Sequence, residues 1–269
     1  LKLKPIHNIE INLLETFILL CKQYSLSYFL IGGSLLGAIR HQGFIPWDDD
    51  LDIGMTRADY NQFLKVAPVT LSHSSYFLQT PYSDRNYGLS YAKLLDLTTD
   101  IQELNNINNA KKGIFIDIFP FDAIPASSNE RTAQMAKFKL YDSSIIVRLG
   151  YHLVDSPLRK MIQPLSVKQY NEVRQLKHKR DAVMEQFNDS GTTEFKNMAS
   201  QYRYKKEIMT AADITNLITH PFEHLNVSIP ANYDQLLTQM YGNYMQLPPE
   251  SERVQKHFAS ISINGQKLE

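Results

Sequence analysis

Apolar residues recur at helical spacing near the start of the chain. Leu13, Leu14, Phe17, Ile18 and Cys21 mark one face of a helix over Ile9–Tyr24, and Glu10, Glu15 and Lys22 are assigned to the other. Tyr28-Phe29-Leu30-Ile31 then reads as a short buried strand ended by Gly32-Gly33-Ser34, and Leu35–Arg40 has helical composition. Past a loop marked by Gly43 and Pro46, polar and apolar residues alternate from Asp50 to Met55 as on a strand. Thr56-Arg57-Ala58-Asp59 fits a capping signal for a helix carrying Tyr60, Phe63 and Leu64. Further strands are predicted over Tyr76–Gln79, Leu89–Leu95 and Gly113–Phe119, with a loop at Asn105–Lys112. From about Asn129 to Phe187 the pattern turns helical, broken at Pro157 and Pro164, and a last helix is expected over Tyr233–Met240, stopping near Gly242. The fold class implied is α+β, with a small mixed β-sheet followed by a mainly helical part.

Composition adds little to this frame but excludes several classes. The 269 residues are 43% hydrophobic and 21% charged, as in an ordinary globular protein. Lys+Arg and Asp+Glu balance at 28 each, so bulk charge gives no argument for a nucleic-acid partner. Cys21 is the only cysteine, which excludes an internal disulfide and a cysteine-rich zinc site. The first residues lack the apolar core of a signal peptide. No apolar run approaches the roughly 20 residues needed to span a bilayer. The expectation is a cytoplasmic protein without a transmembrane segment, with peripheral docking at the inner face of the membrane left open.

Chemistry concentrates in Trp47-Asp48-Asp49-Asp50-Leu51-Asp52-Ile53. Four carboxylates within five positions repel one another and call for a cation. On a strand, residues two apart share a face, so Asp50 and Asp52 are expected to project together while Leu51 and Ile53 bury behind them. Such a pair suits a hard cation, Mg²⁺ or alternatively Mn²⁺, that keeps positions for water or phosphate. Upstream, Gly33 lets a phosphate approach the backbone, and Ser34 is placed to cap the following helix, whose N-terminus favours an anion. Downstream, Asp117 lies between Phe115 and Phe119 on one face of a strand whose other face is Ile114, Ile116 and Ile118. An acid so poorly solvated needs a partner, and a second edge of the metal site would supply it. Arg40 and Lys93 are candidate phosphate contacts. Trp47, with Glu223 and Tyr241 as weaker choices, is a candidate contact for a cationic head group.

Two further patterns have bland readings. His220-Pro221-Phe222-Glu223-His224 fits a helical metalloprotease motif in letters, but Pro221 and the strand-like Leu225–Ile229 disfavour a helix. Lys177-His178-Lys179-Arg180 reads as a solvated helix face, or as a dock for an anionic polymer.

The segments Tyr28 to His41, Gly43 to Asp52 and Ile116-Asp117-Ile118-Phe119-Pro120 resemble the LicD family, as do Ile229 to Tyr233, Tyr241 to Met245 and Leu247-Pro248-Pro249. The resemblance implies a nucleotidyltransferase-fold core, assigned to residues 1–125, with residues 126–269 packed on it and binding donor and acceptor. It implies a metal held by Asp50, Asp52 and Asp117, which are also the catalytic set. It implies transfer of phosphocholine, or a similar phospho-substituent, from a CDP-activated donor to a sugar hydroxyl of a cell-surface glycan, such as a teichoic acid or lipopolysaccharide, whose carrier can be a lipid. Rival readings are a nucleotide-sugar glycosyltransferase using Asp50-Leu51-Asp52, an aspartyl phosphatase and a non-catalytic glycan-binding relative. Ile53-Gly54 is not the usual sequel of the phosphatase motif, and the full acid set argues against an inactive copy.

Overall fold

Pro5 opens the first helix, α1 (Lys4–Tyr24), where a missing N–H costs nothing, and Ser25 closes it in a left-handed conformation at φ 55°. In this computed structural model, residues 3–103, 108–151, 165–254, 258–263 and 265–267 are described. Residues 105–107 of the expected loop, and residues 152–164 with Pro157 and Pro164, lie outside them. The apolar face of α1 is buried as the spacing requires, but Glu10 is buried with it. Its assignment to the polar side fails because position 10 precedes Leu13, Leu14 and Phe17 by three, four and seven residues, which places it on their face.

The first half continues as β1 (Phe29–Leu30), α2 (Gly32–His41), β2 (Asp52–Thr56), α3 (Arg57–Thr70), β3 (Tyr76–Gln79), β4 (Ala92–Asp96), β5 (Thr99–Glu103) and β6 (Ile114–Ala123). Thr56 caps α3 by accepting from the Asp59 amide at 3.2 Å. Helices α4 (Ser128–Arg148) and α5 (Val167–Glu185) follow, then β7 (Glu194–Lys196), β8 (Ile208–Thr210) and α6 (Ala211–Thr215). The hairpin β9 (Leu217–Phe222) and β10 (Leu225–Pro230), helix α7 (Tyr233–Tyr241), β11 (Phe258–Ile263) and β12 (Gln266–Lys267) complete the chain. Among the described residues no helix is long and apolar enough to cross a membrane.

The protein is α+β. Its main sheet runs β1-β2-β6-β4-β3, with β2 and β6 parallel and the other neighbours antiparallel. Strand β6 is the axis of this sheet: all ten of its residues are buried, between β2 on one side and β4 on the other. It outlasts β4, so its end is free to pair Asp122 and Ala123 with Lys196 and Phe195 of β7. The second half therefore contributes strands as well as helices. Beyond β7, β11 pairs with β5, and Phe222, Val227, Ile229 and Leu237 share one apolar core with Leu13, Phe17, Leu30 and Ile116. Arg57 at the start of α3 is tied to fully buried Asp122 by two hydrogen bonds of 2.8 and 2.5 Å, locking that helix to the end of β6.

Candidate active site

A cleft of about 1160 Å³ opens where the parallel pair β2–β6 meets the N-terminus of α2. Asp48, Asp50, Asp52, Asp117, Gly33, Arg40, Trp47, Lys93 and Tyr241 all line it. Two of the sequence candidates do not. The Ser34 hydroxyl accepts from the Asp52 amide at 2.8 Å, so it braces the start of β2 from behind. Nor does it cap α2: the helix already begins at Gly32, its N-cap is Ile31, and Ser34 is its third residue. Glu223 sits on the two-residue turn between β9 and β10, where its carboxylate accepts from the Phe44 amide at 3.4 Å. That turn holds the loop after α2 rather than a ligand. The same hairpin removes the metalloprotease reading, because His220 to Phe222 are strand.

The local backbone explains why the acids converge. The Leu51 carbonyl accepts from the Asp117 amide at 2.9 Å, so the chain pairs with β6 before β2 begins. In register, Asp52 lies beside Asp117, and Lys93 of β4 lies on Asp117's other side. Leu51 and Ile53 point into the core at 0% exposure. Phe115, Asp117 and Phe119 present the opposite face of β6 to the cleft, as period two requires.

Glycine is needed at the rim. Gly32 adopts φ +55°, and a side chain there would begin 3.5 Å from Asp52 Oδ2 and 3.9 Å from Tyr241 Oη. A side chain on Gly33 would begin 2.8 Å from Asp48 Oδ2. The start of α2 is thus already approached by two carboxylates, which its free amides and positive dipole end favour.

Burial pushes the Asp52 carboxyl well above the usual range, and Asp50, Asp117, Asp48 and Glu207 add to the shift by repulsion. Glu10 lies beneath, fully buried, with neither carboxylate oxygen hydrogen bonded; burial first, then Asp50, Asp49, Asp48 and Asp117, raises it as well. His7 supports the acidic loop by joining its Nε2 to the Asp48 carbonyl at 2.7 Å and stacking on Phe44 at 4.2 Å. Lys93 is the nearby cation, 3.9 Å from Asp117 Oδ1 and 3.2 Å above the Phe115 ring. Arg40 donates to the Tyr244 carbonyl at 2.8 Å, and the Trp47 ring carries Arg253 at 5.3 Å.

A donor set of carboxylate oxygens alone fits a hard divalent cation. Among the described residues, no three His, Cys, Asp or Glu side chains are already gathered as a metal cage. An ion held by Asp50, Asp52 and Asp117 would therefore draw the side chains in and fill its sphere with water or phosphate oxygens.

Residues missed in the sequence complete the cleft. Tyr202, Glu207 and the segment from Asn243 to Val254 form its far wall, and Tyr91 joins Phe119 beside the acids at 4.2 Å between rings. None of them stands in a periodic pattern. The family segments Tyr241 to Met245 and Leu247-Pro248-Pro249 pointed to this wall, and of them only Tyr241, whose hydroxyl lies 2.6 Å from that of Tyr202, was named as a ligand contact.

The family model described as LicD/FKTN/FKRP, nucleotidyltransferase domain, matches residues 25–146, a span holding β1 through most of α4 and all three candidate metal carboxylates. Lipopolysaccharide cholinephosphotransferase LicD of Haemophilus influenzae is 29% identical over 273 residues, covering 94% of this chain and 95% of that protein. The uncharacterized protein RP689 of Rickettsia prowazekii is 34% identical over 114 residues, 41% of this chain and 38% of its own length. A shorter match, 48% over 54 residues, reaches the uncharacterized protein RT0683 of Rickettsia typhi and covers 20% of this chain and 17% of that protein. Residues 25–146 carry the nucleotidyltransferase domain of the LicD family, and the similarity to a LicD protein runs over nearly the whole chain.

Proposed function

We propose that the protein is a phosphotransferase that moves phosphocholine, or a similar phospho-substituent, from a CDP-activated donor to a sugar hydroxyl of a cell-surface glycan. The observation that carries this reading is the register pairing of Asp52 with Asp117 at the end of a cleft large enough for a nucleotide donor. The near full-length similarity to a lipopolysaccharide cholinephosphotransferase supports the substituent and the kind of acceptor.

Asp50, Asp52 and Asp117 would hold Mg²⁺, or Mn²⁺ in its place, and the bound ion would offset the charge of the donor diphosphate. The amides at the start of α2, opened by Gly32 and Gly33, and the Lys93 ammonium line the cleft and would hold phosphoryl oxygens. In the transfer, an acceptor oxygen bonds to the substituted phosphorus and the bond from that phosphorus to the CMP oxygen breaks. CMP departs with the bonding electrons. Asp117 would take the proton of the acceptor hydroxyl. Residues 126–269 supply the far wall and would bind the donor head group and the glycan. The reaction belongs to the cytoplasm, or to its membrane face where a lipid-linked acceptor would be presented.

The test is nucleotide release from a panel of CDP-alcohols and nucleotide sugars, with Mg²⁺, Mn²⁺ or chelator. CMP should appear with a CDP-alcohol and a glycan acceptor, and Asp50→Ala or Asp52→Ala should abolish it in folded protein. Release that survives either substitution overturns the metal assignment, and release from nucleotide sugars alone makes the protein a glycosyltransferase.

A further inference from the structure

The described lining of the cleft holds six carboxylates, on Asp48, Asp50, Asp52, Asp117, Glu207 and Glu252, against two cations, Arg40 and Lys93. Five of these acids belong to the metal side or the outer lip. Glu207 does not. It ends a 3-10 turn over Tyr204–Glu207 on the far wall, is 5% exposed, and its Oε2 has no hydrogen-bond partner. A buried carboxylate oxygen left unbonded at a cleft wall is costly unless a ligand meets it. Lys196, 1% exposed beside the Tyr204 ring, offsets part of its charge without forming an ion pair with it.

Two tyrosines stand with it. The rings of Tyr202 and Tyr241 meet edge to face, with centroids 5.8 Å apart and planes 83° apart, and both line the cleft. Their hydroxyls are 2.6 Å from each other, so each already has a partner. Tyr241 also adjoins the acid cluster, since its Oη and Asp52 Oδ2 flank the same point above Gly32.

We propose that Tyr202, Tyr241 and Glu207 bind the donor's head group, and that they select a quaternary ammonium over primary-ammonium and uncharged polyol substituents. The choice follows from hydrogen-bond capacity. A primary ammonium brings three N–H donors and must trade its hydration for acceptors, whereas this corner offers one unbonded carboxylate oxygen and two phenol oxygens already joined to each other. A quaternary ammonium needs none, and gains from aromatic faces at right angles with a buried counter-charge. A polyol leaves the carboxylate without a cation. This deepens the transferase reading and rests on it for the donor, but it can be tested without turnover.

The experiment is calorimetric titration of the full chain with phosphocholine, phosphoethanolamine and glycerol phosphate, with Glu207→Gln and Tyr202→Ala checked for folding by thermal melting. Wild type should bind phosphocholine most tightly, and each variant should weaken it about tenfold while leaving glycerol phosphate unchanged. Equal weakening of all three ligands, or an unchanged phosphocholine Kd, overturns the subsite. Tyr202 is 40% exposed, so its variant decides the matter even where Glu207→Gln does not fold. Selective phosphocholine binding without CMP release from CDP-choline would support the subsite and refute the transfer reading. CMP release that is indifferent to head group in both wild type and variants would do the reverse.

Discussion

Asp52 and Asp117 are register partners on the parallel strands β2 and β6, two carboxylates held side by side by backbone pairing rather than by a loop. The sheet therefore imposes a repulsion that it does not itself relieve, apart from Lys93 on the far side of Asp117. Asp52→Asn keeps the shape and removes one charge. In chelator it should raise stability by about 1 kcal/mol while abolishing CMP release. Mg²⁺ should raise the Tm of wild type but not of the variant, as thermal melts with and without the ion will read.

Two glycines, Gly54 on β2 and Gly33 on α2, should respond in opposite ways. A side chain on Gly54 would meet Phe29 Cε2 at 2.5 Å and Phe121 Cε2 at 2.9 Å, inside a packed aromatic layer, so Gly54→Ala should cost about 2 kcal/mol or more in denaturant unfolding. On Gly33 the obstacle is the end of the Asp48 side chain, which can swing away. Gly33→Ala should fold nearly as well as wild type and lose activity by displacing Asp48 and narrowing the phosphate approach, seen as a higher donor KM.

Glu10 shows how far the site was legible in the sequence. The acid-rich segment, the glycine pair and the alternation around Asp117 gave the near side of the cleft, because strand period and local composition are encoded within a few residues. The depth of Glu10 was encoded too, by its spacing to Leu13, Leu14 and Phe17, but its charge argued for solvent. Lys177 and Arg180 misled in the same way. Their run reads as a solvated face, yet Lys177 donates to the Pro81 and Arg85 carbonyls, and Arg180, at 0% exposure, donates to those of Gly88 and Leu89 and to Asp142. Only His178 and Lys179 are exposed. The carbonyls that bury these cations lie some ninety positions away, and no local pattern reports them. Tyr202 and Glu207 were hidden for the same reason.

Glu10 should also set a pH dependence. Its folded pKa is raised well above the usual value, so the folded state keeps a proton that the unfolded state releases near pH 4.5. The stability linked to that proton is complete below pH 4.5 and is lost as pH rises toward the raised value. Glu10→Gln, neutral throughout, should flatten this slope. Melts of metal-free wild type and variant should then agree near pH 4 and diverge above it, with the variant the more stable.

Lys177 has the opposite sign. Burial, with Arg180 adding to it, lowers its pKa to about 8. Between about pH 8 and the ordinary value of 10.5 the unfolded chain binds the extra proton, so this residue's contribution to stability rises with pH across that window and is lost as pH falls through 8. The difference in Tm between wild type and Lys177→Met, followed from pH 7 to pH 10, should move in favour of wild type.

The far wall of the cleft, from Ser200 to Glu207 and from Tyr241 to Val254, lies some eighty to two hundred positions downstream of the carboxylates it faces. A ribosome will therefore have made all three acids long before the groups opposite them exist. Fragments from interrupted synthesis would carry the acids but lack the wall that completes the proposed donor pocket, and would be unable to squander an activated donor on water.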